Sequence, residues 1–313
     1  MWNLRHVMSF FGMLQAVAVL TIIASIVTGL NIPLRYLELF SHFRLQYFVV
    51  SALLLLVFSA LRHYAYAAAL ATIVIFNASF VLPWYFSRST AAEGNPLKLI
   101  HVNVRSRNTE YDRMVAFVAA EKPDMVFMQE VTAEWLAGTK ALLADYPYFY
   151  VESRSDSFGI AAFSKIPFDA IRHIDSPPLG HPTIIASVTI NGEEVTLLSS
   201  HPSIPVGRHL YEARNEHLRS LTDLVIQARG KIIMLGDFNA SLWCAHFRQL
   251  ETSTGLKNVR RGFGILPSWP TYLPFAMIPI DHALVSESIS VSDVRTGVSI
   301  GSDHLPLVVT LSM

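Results

Sequence analysis

An acid and an amide lie two residues apart at the end of an apolar run. Lys231-Ile232-Ile233-Met234-Leu235 leads into Gly236-Asp237-Phe238-Asn239-Ala240. The run reads as a buried strand. Side chains i and i+2 share one face of a strand, so Asp237 and Asn239 are expected to point together into one cleft. Gly236 is read as the residue that lets the backbone turn beneath them. A carboxylate beside a neutral amide suits work on a phosphate. The acid positions or deprotonates a water, and the amide donates a hydrogen bond without adding charge.

Other polar residues share this address. Asn103, Glu130, His201 and the pair Asp303-His304 each sit at the terminus of an expected strand or just beyond it. Singly they are bland: an Asn there forms a turn, a Glu caps a helix, a His before Pro sits in a loop. As an ordered series carried by separate strands, they imply one cleft whose rigid walls present them together.

The elements that must position them run as follows. Strands are expected at 97–104, 124–129, 159–163, 183–190, 193–200, 231–235, 281–286, 291–298 and 305–312. Asn191-Gly192 between two of these runs is a hairpin signal. Helices are expected at 110–121, stopped by Pro123, from a Thr132 cap, and at about 207–229, closed by Gly230. The class is α/β, with two sheets covered by helices. On the predicted helices His209, His217 and His246 read as solvated, Arg208 and Arg214 either face a phosphate or lie on a solvated helix face, and Cys244 reads as a small core residue. Trp269, Tyr272 and Phe275 lie in a Pro-rich stretch before Asp281, where they pack, cover a substrate or touch a membrane.

The chain has 313 residues, 52% hydrophobic and only 15% charged, and the apolar excess is concentrated at the front. Residues 7–30, 46–61 and 65–86 are long and apolar enough to be three membrane spans. Asn77, inside the third, reads as a helix–helix hydrogen bond. A polar linker of small residues follows at 87–96, and 97–313 is a separate domain. Arg5 ahead of the first span favours an N-terminus inside, which puts the large domain outside the cytoplasm, periplasmic in a Gram-negative bacterium. Five Arg and two Glu precede Asn95; removing them from 24 basic and 24 acidic residues leaves 19 and 22, a net charge of −3. That balance argues against tight non-specific binding to long nucleic acid. A single cysteine excludes an internal disulfide and a cysteine metal cluster.

The motifs in series resemble the endonuclease/exonuclease/phosphatase superfamily, with its DNase I-like fold. They are His101-Val102-Asn103-Val104, Gln129-Glu130, Ser200-His201, Gly236-Asp237-Phe238-Asn239, Ile280-Asp281-His282 and Gly301-Ser302-Asp303-His304-Leu305-Pro306. With spans in front, the chain is similar to membrane-anchored bacterial members. The resemblance implies a four-layer α/β/β/α sandwich and a Mg²⁺-dependent phosphoester hydrolase, with Mn²⁺ as a substitute. It implies Glu130 as principal metal ligand, with Asn103 and Asp303 completing or supporting the shell. Asp237 would orient or activate water and Asn239 would donate to the phosphate. His201 and His304 would flank the phosphorus, and Asp281 would fix the His304 tautomer.

The substrate class stays open at this level. Glu130 is followed by Val131-Thr132-Ala133, not the Thr-Lys of abasic-site nucleases, and Ile-Pro-Ile-Asp-His replaces the Trp-Cys-Asp-Arg of inositol polyphosphate phosphatases. One reading is a membrane-tethered enzyme acting on a lipid or other envelope-side phosphoester, with the bilayer and that substrate as its partners and no protein partner. A second is an extracytoplasmic nuclease, which asks for a basic face from Arg105, Arg107, Arg154, Arg260 and Arg261. A third is a binding module without catalysis.

Overall fold

A computed structural model describes residues 9–30, 32, 34–86 and 96–313. The chain divides into two compact units, Met1–Pro83 and Trp84–Met313.

The first unit is helical: α1 (Phe10–Gly29), α2 (Arg35–Ser41), α3 (Arg44–Ala60) and α4 (Tyr64–Val81), with α5 (Pro83–Phe86) at the junction. Ser9 caps α1 by accepting from the Gly12 amide. Helices α1 and α4, at 20 and 18 residues, are each long and apolar enough to cross a membrane; α2 and α3, bent by 62°, make a third if taken as one span. The first expected span begins at 7, and its first two residues lie outside the described set, as does nearly all of the linker. The third is shorter than expected, because Pro83 follows a break at Leu82 and its ring cannot continue the α4 hydrogen-bond ladder. Arg62, at φ +60°, makes the tight turn between α3 and α4. Arg44 opens α3, two residues ahead of the expected second span. It is buried, donating to the Ser25 carbonyl at 2.8 Å and to Asn77 Oδ1 at 3.1 Å. Asn77 in turn donates to Ser25 Oγ at 2.9 Å, so this polar trio ties three helices together.

The second unit contains β1 (Pro96–Asn103), α6 (Tyr111–Glu121), β2 (Met125–Gln129), α7 (Ala133–Gly138), β3 (Tyr148–Glu152), β4 (Ile160–Ser164), β5 (Ala170–Ser176), β6 (His181–Ile190) and β7 (Glu193–Ser200). It continues with α8 (Gly207–Gln227), β8 (Lys231–Asp237), α9 (Ala245–Thr254), β9 (Lys257–Asn258), β10 (Asp281–Val285), β11 (Ser290–Thr296) and β12 (Leu307–Ser312). Two six-stranded sheets form, ordered β11-β12-β1-β2-β4-β3 and β5-β6-β7-β8-β10-β9. The pairs β1–β2 and β7–β8 are parallel. Parallel neighbours need a crossover, supplied here by α6 and α8.

Strand alternation builds the layers. Leu99, Phe127, Leu197, Ile233 and Leu235 point between the sheets. Their neighbours Ile100, Val126 and Met128 face outward under Met114 and Phe117 of α6 and Trp135 of α7. Leu198 and Met234 face outward under Leu218 and Leu221 of α8 and Phe247 of α9. Central strands buried on both faces read as continuous apolar runs. The result is a four-layer α/β/β/α sandwich. Asn191 (φ +54°) and Gly192 (φ +81°) form the expected hairpin turn.

Candidate active site

The carboxyl ends of β1, β2 and β8 and the amino end of β10 meet at one end of the sandwich. Asn103 lies opposite Gln129 across β1–β2, and Asp237 lies opposite Asp281 across β8–β10. Gln129 locks the two sheets together there. Its Oε1 accepts from the Asp237 amide at 2.8 Å and its Nε2 donates to the Ser200 carbonyl at 2.5 Å.

Asp237 is the hub. Its Oδ2 accepts from Asn103 Nδ2 at 3.1 Å and lies 3.4 Å from His201 Nε2 and 3.7 Å from His304 Nε2. All four side chains are buried. Asn103 Nδ2 also reaches Glu130 Oε1 at 3.0 Å, while Glu130 Oε2 accepts from the amide and hydroxyl of Ser106. Asp281 holds His304 Nδ1 at 2.9 Å with one oxygen and His101 Nε2 at 3.0 Å with the other. The structure therefore brings Asn103, Glu130, His201, Asp237, Asp281 and His304 into one network, as the strand-end pattern implies.

Charge follows from this geometry. Burial opposes protonation of His304, but the carboxylates of Asp281 and Asp237 outweigh it and raise its pKa to about 9. His201 is raised too: burial opposes, and the hydrogen bond and charge of Asp237 prevail. Burial alone would push the Asp281 carboxyl up, but its two histidines hold it well below the usual range.

Two expectations at the glycine-acid run need correction. Asn239 lies past the end of β8 in the left-handed region, at φ +48°, so a turn rather than strand alternation brings it near Asp237. Its amide N–H donates to Asp237 Oδ1 at 3.0 Å, and its side chain donates to the Pro202 carbonyl at 3.0 Å. Gly236 is an in-line strand residue. A Cβ there would meet the Ser200 carbonyl oxygen at 2.0 Å, so glycine permits close backbone approach, not a turn. Glu130 (φ +61°) and Arg105 (φ +59°) share the left-handed conformation of Asn239.

Asp303 has partners of its own. Its carboxylate takes Trp269 Nε1 at 3.4 Å and lies 3.9 Å from Arg105 Nε, whose own backbone amide donates to Asn103 Oδ1. Its charge also helps to raise the His304 pKa. Glu130 and Asp237 offer two carboxylates bridged by Asn103 Nδ2, and hard oxygen donors suit a small divalent cation; Asn103 would join them through Oδ1, which here accepts from the Arg105 amide. Asp281 also lies with Asp237 and His304 in a potential ligand group, but both its oxygens already accept from imidazoles.

The sequence missed several neighbours. His101 is the second imidazole on Asp281, and the alternation of β1 was the available signal. His217 is not solvated but buried, with Nε2 2.9 Å from Ser200 Oγ; burial lowers its pKa to about 3. Arg214 is likewise buried and donates to the Asn239 carbonyl at 2.9 Å. Both lie on the inner face of α8, whose polar composition hid that face. Phe158 and His181 stack beside His201, and no sequence signal marked them. Of the five arginines of a nucleic-acid face, Arg260 is buried against the carbonyls of Ile265 and Leu266, and Arg154 is paired with Asp156. A cavity of about 610 Å³ lies elsewhere, around Arg248, Leu256 and Val285 at the opposite end of β10.

The comparisons agree with this geometry. The model of the "Endonuclease/Exonuclease/phosphatase family" matches residues 100–304. No curated protein matches significantly. Among solved structures, D. rerio TDP2 complexed with a single-strand DNA product is 20% identical, covering 70% of this chain and 100% of its own, with a TM-score of 0.60. An endonuclease/exonuclease/phosphatase from Beutenbergia cavernae is 19% identical, covering 70% and 72%, at 0.55. Sphingomyelinase C from Streptomyces griseocarneus is 17% identical, covering 69% and 99%, at 0.53. At such identities these neighbours establish the fold alone. The family match spans more than half of the chain, so the protein belongs to the endonuclease/exonuclease/phosphatase family and is a metal-dependent phosphoester hydrolase.

Proposed function

We propose that this protein is a membrane-anchored, Mg²⁺-dependent phosphoesterase that hydrolyses a phosphodiester or phosphomonoester on the envelope side of a bacterial inner membrane. The single observation that carries the reading is the convergence on Asp237 Oδ2 of Asn103, His201 and His304, from three other segments, within 3.1–3.7 Å. Helices α1 and α4 support the anchor. The basic N-terminus supports the orientation.

Glu130, Asn103 and Asp237 are the residues that would hold the ion, with Asp303 supporting from the border. When bound, the ion neutralises charge on the phosphoryl oxygens. Asp237 orients the attacking water and takes its proton as the new P–O bond forms. His304, kept protonated by Asp281, donates to a phosphoryl oxygen or to the leaving oxygen as the ester P–O bond breaks. His201 faces the same centre and offsets the charge of Asp237. Asn239 gives one side-chain N–H to the Pro202 carbonyl and holds Asp237 through its backbone; its second N–H, on a nitrogen 3.4 Å from His201 Nε2, would be the one offered to the phosphate.

A lipid or envelope-side ester is favoured over a polynucleotide because the basic face is depleted at Arg260 and Arg154 and the domain carries net negative charge. The test is hydrolysis by the full chain in detergent, with and without Mg²⁺, over a panel of lipid, nucleotide and nucleic-acid esters. Expected is metal-dependent release that Asp237→Ala abolishes. Equal behaviour of wild type and that variant on every ester would overturn the reading.

A further inference from the structure

Between Arg261 and Asp281 the chain runs 19 residues without an Asp, Glu, Lys or Arg. Within this stretch, Trp269 and Ile278 pair as an antiparallel bridge, which pinches residues 270–277 into a loop with a narrow neck. The neck is fastened to the catalytic segment. Thr271 donates its amide to the Asp303 carbonyl and its hydroxyl to the Ser302 carbonyl, both at 3.0 Å. The Leu305 amide donates to the Ser268 carbonyl at 2.9 Å, and the Trp269 ring lies 6.3 Å from that of His304.

The tip is exposed. Tyr272 is 68% exposed, Leu273 37% and Phe275 78%, around a short 3₁₀ turn at Pro274–Ala276. Two further loops that carry site residues present exposed apolar side chains: Ile204 and Val206 just after His201, and Val298 just before Gly301-Ser302-Asp303. Isolated exposed apolar residues are ordinary, but Tyr272, Leu273 and Phe275 stand together on one uncharged loop, and such a group marks a binding surface. Lack of charge removes the main cost of leaving water. Four prolines in the stretch hold it in few conformations, so little ordering is lost on insertion. Helices α1 and α4 are long and apolar enough to cross a membrane, and the anchored reading proposed above would keep this domain near a bilayer.

We propose that the 270–277 loop enters the interfacial region of a lipid bilayer, and that the enzyme thereby selects phosphoesters carried on bilayer lipids. This deepens the phosphoesterase reading and rests on it for the substrate, while the insertion stands on the loop alone. Aromatic tips with a polar edge, such as Tyr272, suit the headgroup boundary. A loop whose neck bonds to Ser302 and Asp303 would set the ester at a fixed depth relative to His304.

The test uses the full chain in phosphatidylcholine/phosphatidylglycerol nanodiscs. With Cys244 replaced by Ala, Phe275→Cys carries a polarity-sensitive dye; Glu287→Cys, at the opposite end of β10, is the control. Expected is a blue-shifted emission quenched by brominated acyl chains at position 275 and not at 287. Equal, water-like emission at both positions would overturn the insertion. In a second arm, the double variant Tyr272→Ser/Phe275→Ser should lose about tenfold in kcat/KM on a bilayer-borne phosphodiester and stay within about twofold on a soluble nitrophenyl phosphodiester. Equal loss on both substrates, or loss on neither, would overturn lipid selection. Wild type inactive on both esters would instead overturn the phosphoesterase reading, leaving the dye result to decide insertion.

Discussion

Asp281 and His304 form a buried pair, Oδ2 to Nδ1 at 2.9 Å, and the second oxygen of the same carboxylate binds His101. One acid thus fixes the orientation of two imidazoles, leaving His304 Nε2 directed toward Asp237. Replacing Asp281 by Asn keeps the shape but lets the amide offer an N–H to one of the rings. Activity should fall about hundredfold or more. The pH profile should respond as well. With the His304 pKa held at about 9, its acid function persists to that pH and is lost above it. In Asp281→Asn the loss should begin at lower pH, measurable as an earlier alkaline limb in kcat/KM and by NMR titration of the imidazole.

Glu130 tests the metal. Glu130→Gln keeps the contact with Ser106 but removes one of two carboxylates from the hard donor set. Stabilisation by a ligand follows its occupancy, about 2.7 kcal/mol at a hundred times Kd. Mg²⁺ should therefore raise the Tm of wild type, and chelation should reverse the rise. The variant should show little shift and correspondingly little Mg²⁺-stimulated activity.

Gly236→Ala tests the close approach of two strands. The added Cβ would lie 2.0 Å from the Ser200 carbonyl oxygen, which is backbone and cannot swing aside. A loss of about 3 kcal/mol or more is expected, at the upper end of single-residue effects. Chemical denaturation provides the reading. A turn-forming glycine in open space would give a much smaller loss.

His217 sets an acid limit on stability. Burial lowers its folded pKa to about 3, against about 6.5 in the unfolded chain. The unfolded state therefore binds the proton more tightly. Stability from this group is complete above about pH 6.5 and is lost progressively as pH falls toward 3. His217→Gln should flatten that part of the Tm–pH curve, while costing about 1–2 kcal/mol at neutral pH through its contact with Ser200.

The parts of the fold legible in the sequence were those where one physical rule dominated. Central strands such as Lys231–Asp237 are buried on both faces and appear as apolar runs. Asn191-Gly192 announced its hairpin through two positive φ angles. Three of the four edge strands were missed. Tyr148–Glu152 and Ala170–Ser176 are half exposed, and the two-residue Lys257–Asn258 is too short for any period. The candidate site residues stood out because most of them lie at or next to a strand end. Their exact partners were not, since these depend on turns: Asn239 reaches Asp237 by a left-handed residue, and Asp303 turned toward Trp269. On α8, polar residues buried by mutual bonding, such as His217 and Arg214, are indistinguishable in composition from solvated ones.

Glu130, Asn239 and Arg105 each adopt a backbone shape in which glycine would rest more comfortably. Non-glycine residues there cost about 1 kcal/mol apiece. Selection of variants for heat resistance alone would reward glycine at these three places and strip away the carboxylate, the amide and the guanidinium. The domain thus spends part of its thermal tolerance on reactivity, and sturdier descendants bred without an activity screen should emerge inert.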